Sequence, residues 1–168
     1  TVEKEPLIPI GHEIACDQFR LPIESPKKAF KTSGPKLTVS TNGDNLSASS
    51  SKVNFMFNKK TGIVTSYKVD GTEYFSEGFG IQPNFWRAPT DNDYGNGMPK
   101  RLQVWKESSK NFNVTDATVT MDGNNAVVNV NYLLPAGNLY IVNYTIYPSG
   151  AVNVAARFTS TDMDGAQN

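Results

Sequence analysis

The chain is short of the residues that build metal sites and nucleophilic centres. Its 168 residues include one cysteine, Cys16, and one histidine, His12. These counts exclude an internal disulfide, a cysteine-cluster metal site and a histidine-pair metal site, and a Ser-His-Asp triad would have to use His12. We interpret Cys16 as a small buried or half-buried residue and His12 as a strand or loop residue.

An excess of charge and a long apolar run are also missing. Sixteen lysine and arginine residues balance sixteen aspartate and glutamate residues, so no net field favours nucleic acid, an anionic membrane surface or a charged substrate. No stretch approaches the roughly 18 apolar residues of a membrane helix, and residues 1–6 lack the features of a signal peptide. We predict a soluble chain with no nucleic-acid and no membrane partner.

Alternation of apolar and polar residues with a period of two runs through most of the chain. Val53, Phe55 and Phe57 alternate with polar or flexible residues, and Asp70-Gly71 is a hairpin signal that tolerates positive φ. Turns containing glycine or proline recur about every ten residues, which is typical of an antiparallel sandwich. We predict an all-β fold, with a four-strand meander over residues 112–121, 126–134, 139–147 and 151–158.

Two segments depart from this pattern. Pro99 to Ser109 is predicted to form one short helix, because proline suits a first turn and Leu102 and Trp105 fall three residues apart. Residues 11–21 resemble a single strand, followed by a proline-bracketed polar stretch typical of a linker. One strand cannot form a domain, so we assign residues 1–30 to the tail of a preceding domain and residues 31–168 to the main domain.

The segment from Pro83 to Gly97 is the best candidate for a site, because aromatic, charged and glycine residues crowd a stretch rich in turn formers. Its carboxylates, Asp91 and Asp93, would project to one side about 7 Å apart if the segment were extended, a spacing that would suit a pair of glycosidase carboxylates. Alternatively, they cap backbone amides and pair with Arg87. We favour the second interpretation, because a wet, polar turn would not raise the pKa of a general acid.

The aromatic residues of the segment also allow two interpretations. Phe85, Trp86 and Tyr94 could form a platform for a sugar or a contact with another domain, or they could belong to the core. Adjacent residues of a strand face opposite sides, so at most one of Phe85 and Trp86 is expected in the core.

Two stretches resemble the C-terminal domain of glycoside hydrolase family 2 β-galactosidases. They are Phe55–Gly62 and Asn84–Gly95, the second with its Arg-Ala-Pro-Thr-Asp-Asn-Asp run, and both follow the order and spacing of that family. Leu102 to Lys106 is similar to the family's short tryptophan-containing helix. Residues 11–19 resemble the last strand of its preceding immunoglobulin-like domain.

The resemblance implies a partial β-supersandwich of the galactose mutarotase-like type, covering about the first half of that domain. It also implies that the catalytic glutamates and the magnesium and sodium ligands lie in a TIM-barrel domain outside this chain, so we expect no catalytic residue, metal or cofactor here. The loop over residues 87–97 is implied to run to the mouth of the active site, where a galactoside settles, with Arg87 at its base and Asp91, Asn92, Asp93 and Gly95 at matching positions.

Three functions compete on this basis. The first is a non-catalytic fragment of a β-galactosidase that supports the active-site mouth and carbohydrate binding, with the barrel domain as its partner. The second is a stand-alone carbohydrate-binding β-sandwich module that uses Phe85, Trp86 and Tyr94. The third is a small hydrolase built on Asp91 and Asp93, which lacks an apolar pocket. Exposed sheet faces and strand edges also predict self-association.

Overall fold

Two antiparallel sheets form the structure, a computed structural model that describes residues 7–13, 15–19, 21–22, 29–76, 79–135 and 137–160. The first sheet has five strands in sequence order, and the second has four, also in sequence order. The strands of the first sheet are β1 (Thr38–Asn42), β2 (Asn45–Ser49), β3 (Val53–Asn58), β4 (Ile63–Val69) and β5 (Thr72–Glu73). Those of the second are β6 (Asn113–Asp122), β7 (Asn125–Leu133), β8 (Leu139–Ile146) and β9 (Val152–Thr159).

The hairpins of the first sheet follow from the alternation along β3 and the turn after β4. Val53, Phe55 and Phe57 are each no more than 1% exposed, whereas the residues between them are half-buried. Asp70 has a φ of 50° and Gly71 a φ of 80°, which are the two consecutive positive values of a type I′ turn. The predicted alternation along residues 53–57 and the predicted hairpin at residues 70–71 are both confirmed.

The second sheet is the predicted four-strand meander. Along β7 the side chains alternate strictly, with Val128, Val130 and Tyr132 fully buried and the residues between them partly exposed. The pairing of β7 with β8 is regular over its whole length, from Ala126 opposite Ile146 to Leu133 opposite Leu139. One apolar and one wet face therefore form from a period of two in the sequence.

Aromatic rings and tyrosine hydroxyls join the two sheets. Phe55 of β3 lies 5.5 Å, between ring centroids, from Tyr144 of β8. The hydroxyl of Tyr132 donates a hydrogen bond of 2.8 Å to the carbonyl oxygen of Gly62 on the opposite sheet, and burial raises the pKa of that hydroxyl. The core is thus closed by apolar packing together with a buried polar contact between the sheets, which confirms the all-β sandwich.

One edge of the sandwich has no further strand beside it among the described residues. β9 pairs with β8 on one side, and seven of its eight residues are exposed. A cavity of about 430 Å³ lies beside it between the sheets, and its lining consists of aromatic and aliphatic side chains: Phe55, Tyr67, Tyr74, Phe75, Ile81, Val152 and Val154.

The N-terminal prediction differs from the structure in three respects. The strand predicted over residues 11–21 is absent from the residues described there, 11–13, 15–19 and 21, because this segment has no partner strand to satisfy its backbone groups. Cys16, predicted to be buried or half-buried, is exposed. Strands β1 and β2 were not predicted, because serine, threonine and asparagine dominate them. The division into domains at residue 30 stays a prediction, as does the galactose mutarotase-like supersandwich.

The single helix predicted from Pro99 to Ser109 is replaced by two short ones, and a third short helix, which was not predicted, precedes them. The three helices are α1 (Asp91–Gly95), α2 (Met98–Arg101) and α3 (Gln103–Ser108). Leu102 separates α2 from α3, with φ of −107° and ψ of 20°. Its N–H closes the last turn of α2 on Met98, and its carbonyl then accepts from the Trp105 N–H in a tighter, three-residue turn. The predicted range was correct at its ends, but its middle is not continuous.

Candidate functional site

The candidate residues all lie on the connection between the two sheets, which runs from Phe79 to Phe112. Helix α1 begins there after Thr90 with a cap that Asp93 provides. The Asp93 carboxylate accepts a hydrogen bond of 2.7 Å from the Thr90 N–H and one of 2.9 Å from the Thr90 hydroxyl. In this capping box, a carboxylate at the third helical position bonds back to the cap residue and stabilises the first turn of the helix. The local sequence from Thr90 to Asp93 therefore determines where α1 begins.

Arg87 completes this arrangement. Its guanidinium makes two bonds to the Asp93 carboxylate, Nη1 to Oδ2 at 2.6 Å and Nη2 to Oδ1 at 3.0 Å. The Asp93 side chain is 12% exposed and that of Arg87 is 64% exposed. Hydrogen bonding to Arg87, followed by the Thr90 N–H, lowers the pKa of Asp93 to about 2. Asp93 is therefore ionised near neutral pH and cannot act as a general acid.

The other residues of α1 face away from this ion pair. Asp91, Asn92, Tyr94 and Gly95 are exposed, and Tyr94 is 64% exposed. The extended conformation considered for Asp91 and Asp93 is wrong, because both residues lie in helix α1, and side chains two positions apart on a helix do not face one another. The geometry brings Arg87 to Asp93 and leaves Asp91 on an open surface.

The aromatic residues separate in the way that the strand argument predicted. Phe85 packs against the core, with its ring centroid 5.1 Å from that of Tyr140 and 6.1 Å from that of Trp105. Its N–H donates a bond of 2.7 Å to the Ser109 hydroxyl, which in turn donates to the Trp105 carbonyl oxygen. Trp105 also contacts Phe158 of β9, at 5.7 Å. Trp105 thus docks α3 onto the second sheet.

Trp86 is half-buried and borders two cavities, the smaller of which Phe85 also lines. The smaller, of about 240 Å³, also reaches Arg87, Asp93 and Trp105. The larger, of about 500 Å³, is a cleft lined by Phe79, Gly80, Ile81, Gln82, Pro83, Asn84, Trp86, Lys106, Ser109 and Lys110. Among the described residues, Phe85, Trp86 and Tyr94 make no ring contact with one another, so they do not form one platform.

Sequence reasoning missed the residues that share the larger cleft with Trp86. Phe79, Gln82, Lys106 and Lys110 lie up to 24 positions from Trp86 and follow no regular period with it. Phe79 is 73% exposed, and a large aromatic next to a glycine in a turn-rich stretch was the one available signal. The lysines become neighbours of the tryptophan only because α3 folds back along the connection.

Within the ranges that the structure describes, no three side chains of His, Cys, Asp or Glu lie close enough together to hold a metal ion. No helix in the same ranges is long and apolar enough to cross a membrane.

Known β-galactosidases are similar to this chain over most of its length. The β-galactosidase of Priestia megaterium is 34% identical over 146 residues, which are 86% of this chain and 14% of that protein. The β-galactosidase of Kluyveromyces lactis is 30% identical over 147 residues, which are 82% of this chain and 14% of that protein. The β-galactosidase small subunit of Latilactobacillus sakei is 26% identical over 129 residues, 62% of this chain and 39% of that subunit.

The chain matches only a part of each of these relatives. The chain spans about a seventh of the first two relatives and less than half of the small subunit. The model of one protein family, described as the β-galactosidase small chain, matches residues 49–166. That match includes seven of the nine strands, β3 to β9, all three helices and the whole connection with Arg87 and Asp93. The chain belongs to the β-galactosidase small chain family.

Proposed function

We propose that this chain is a non-catalytic supporting domain of a β-galactosidase. The observation that carries the proposal is the bidentate pairing of Arg87 with Asp93, which commits the most enclosed carboxylate of the segment to holding α1 in place. A carboxylate with a pKa of about 2 is unsuited to protonating a leaving group at neutral pH. Asp91 stands exposed and outside any apolar pocket, so the segment supports a structural role.

The partner in this proposal is the catalytic TIM-barrel portion of the parent enzyme. Helix α1 projects Asp91, Asn92 and Tyr94 from the surface on a base fixed by Arg87, which suits a contact at the rim of another domain. A galactoside settling in the barrel would then meet the outer face of α1. The magnesium and sodium ligands, and the catalytic glutamates, belong to the barrel.

A stand-alone module that uses Phe85, Trp86 and Tyr94 as a sugar platform has less support. Phe85 is occupied by contacts with Tyr140 and Trp105, and its N–H is bonded to Ser109. A platform needs ring faces that a sugar can reach together. Phe85 and Trp86 border the same small cavity, but Tyr94 does not line it.

A complementation assay tests the supporting role. The chain alone, the remaining portion of the same β-galactosidase alone, and an equimolar mixture would each be given o-nitrophenyl β-galactoside. We expect turnover with the mixture and none with the chain alone. Replacing Arg87 by Met in the mixture should lower kcat/KM, because α1 loses its anchor, while Lys100→Met on the neighbouring helix serves as the matched control.

Hydrolysis by the isolated chain that survives purification and is lost in Asp91→Asn would overturn the proposal. Full activity of the remaining portion without this chain would also overturn the proposal, because the enzyme would then not need support from this chain.

Self-association of the isolated chain is a further part of the proposal, with a second copy as the occupant of the open β9 edge. β9 has no proline or glycine, carries one charged residue, Arg157, and pairs regularly with β8. The Tyr147 N–H bonds to the Ala151 carbonyl, so in the same register the backbone groups of Val152, Val154, Ala156 and Phe158 point outward. Two copies of β9 that pair antiparallel about Ala156 would not place their two Arg157 side chains opposite one another.

Proline at one outward position tests this edge without breaking the pairing inside the sheet. Ala156→Pro removes an outward N–H and leaves the bonds to β8 in place. We expect sedimentation velocity to show dimers or larger species for the parent chain and a shift to monomer for Ala156→Pro. A parent chain that stays monomeric from micromolar to millimolar concentration contradicts the expectation.

A further inference from the structure

The larger cleft beside Trp86 has a rigid wall along residues 79–84. Gly80 lies so close to β4 that a Cβ atom there would come within 1.6 Å of the Val64 carbonyl oxygen. The Val64 N–H donates a bond of 3.0 Å to the carbonyl of Ile81, which ties the same stretch to the edge of the first sheet. A segment held by backbone contacts to a strand does not need a ligand to order it.

The opposite wall is the C-terminal end of α3. Ser109 joins the two walls, because its hydroxyl accepts from the Phe85 N–H at 2.7 Å and donates to the Trp105 carbonyl at 3.0 Å. Lys106 and Lys110 follow one helical turn apart and both line the cleft. In the part of the chain that the structure describes, neither ammonium group has a carboxylate partner, so both are free to donate to a ligand.

Two aromatic rings border the same space without touching. Asn84 fixes the start of Trp86, since its Oδ1 accepts a bond of 3.0 Å from the Trp86 N–H. The NH₂ group of the same amide has no hydrogen-bond partner among the described residues and can donate to a ligand. Phe79, which is 73% exposed, lines the same cleft as Trp86, and among the described rings the two make no contact. Their ring surfaces are therefore not buried against one another.

From this combination we infer that the cleft is a sugar-binding site, with the pyranose ring against Trp86 and its hydroxyls bonded to Asn84, Gln82 and Lys106. Sugars present one apolar face for an aromatic ring and a rim of hydroxyls for amides and ammonium groups. The volume of about 500 Å³ is within the range of small-molecule sites. Among the described residues no carboxylate lines the cleft, so a sugar that carries an acidic group is accepted at least as well as a neutral one.

This inference goes beyond the supporting role, and neither depends on the other. The cleft belongs to the chain by itself and its occupancy is read without turnover. A failed complementation assay would therefore leave the sugar site standing, and an empty cleft would leave the supporting role standing.

The two tryptophans permit a direct measurement. In a Trp105→Phe background Trp86 is the only tryptophan, and its emission is titrated with galactose and with galacturonate, which differ in one carboxylate. We expect saturable changes with dissociation constants near the millimolar range, and galacturonate at least as tight as galactose at low salt. Because Trp105→Phe removes a packing contact, amide chemical shifts of Ser109 and Lys110 in the unsubstituted chain provide a second reading of the same titrations.

Matched variants locate the effect. Lys106→Met keeps the aliphatic stem and removes the charge, and should weaken galacturonate binding roughly tenfold. Asn84→Asp keeps the acceptor for the Trp86 N–H, removes the free donor and adds a negative charge, and should weaken galacturonate more than galactose. Lys100→Met on α2 lies outside the cleft and should change nothing. Non-saturable responses up to about 100 mM, or equal losses for Lys100→Met and Lys106→Met, would overturn the inference.

Discussion

The sandwich and the connection between its sheets are held together by different forces. In the sandwich, alternate residues along β3, β7 and β8 are buried almost completely. The free energy gained from this burial is roughly proportional to the apolar area removed from water. In the connection over residues 79–111, few side chains are fully buried, and position is set by bonds from Asp93, Ser109 and Asn84 to backbone groups. Changes in the sandwich should therefore affect folding, whereas changes in the connection should affect the geometry of the site.

The largest expected effect comes from emptying the core. Phe57 of β3 is fully buried and lies beside Tyr144 with ring centroids 6.3 Å apart. Phe57→Ala should lower the free energy of unfolding by about 3–5 kcal/mol, because it removes apolar contacts and leaves a cavity. Urea denaturation followed by circular dichroism measures this. A loss below about 1 kcal/mol would mean that the sheets close over the gap.

A methyl group at Gly80 should have the next largest effect, on the border between the two regions. Gly80→Ala would drive a Cβ into the Val64 carbonyl, so backbone must move. We expect a cost of about 1–3 kcal/mol in the free energy of unfolding, as for overpacking, together with loss of sugar binding in the cleft. Gly95→Ala is the control, since nothing lies within 4 Å of a Cβ at that glycine.

The Arg87 pair should respond to pH. The pKa of Asp93 is lowered to about 2, below its usual value of about 3.9, so its contribution to stability is present above about pH 4 and is lost as the pH falls through 2. Asp93→Asn should therefore lower the melting temperature at neutral pH, and the difference from the parent chain should shrink between pH 4 and 2. Paired melting curves across that window measure it.

A pH-independent difference between the two proteins would contradict this prediction, because an uncharged hydrogen bond would then be the whole effect. Asp91→Asn is the matched control. Asp91 has no ion-pair partner among the described residues, so its substitution should leave the melting curves unchanged over the same window.

The smallest expected effect is at Ser108 of α3. Its side chain is fully buried, and its hydroxyl has no hydrogen-bond partner in the described structure. Ser108→Ala removes an unsatisfied polar atom from the interior, so the free energy of unfolding should stay equal or rise by up to about 1 kcal/mol. Destabilisation by more than that, measured by urea denaturation, would indicate that the hydroxyl has a partner in solution.

Much of the sandwich could be predicted because the alternation of apolar and polar residues within a single strand indicates which side chains are buried. The alternation at Val53, Phe55 and Phe57 and at Val128, Val130 and Tyr132 shows in the sequence which face is buried. The pair β1 and β2 was missed because Leu46 and Ala48 are too few apolar residues among serines and asparagines to show a period. Their burial depends on β3 lying beside them, which is a tertiary effect.

The connection was predicted in part. The pairing of Arg87 with a carboxylate was expected, but the helix that makes Asp93 its partner was not, because three short helices leave no long period to detect. The cleft was not predicted at all. Its lining comes from residues 79–86 and 106–110, and which of these meet depends on how α3 docks through Trp105.

Phe158 links the sandwich to the connection between its sheets through direct ring contacts. It belongs to the exposed strand β9, and it touches both Trp105 and Phe85. Phe85 directly precedes Trp86, and Trp105 directly precedes Lys106. A molecule that pairs with the outer edge of β9 and orders Phe158 is therefore expected to change the affinity of the cleft. By reciprocity, occupancy of the cleft would change the affinity of the edge by the same factor.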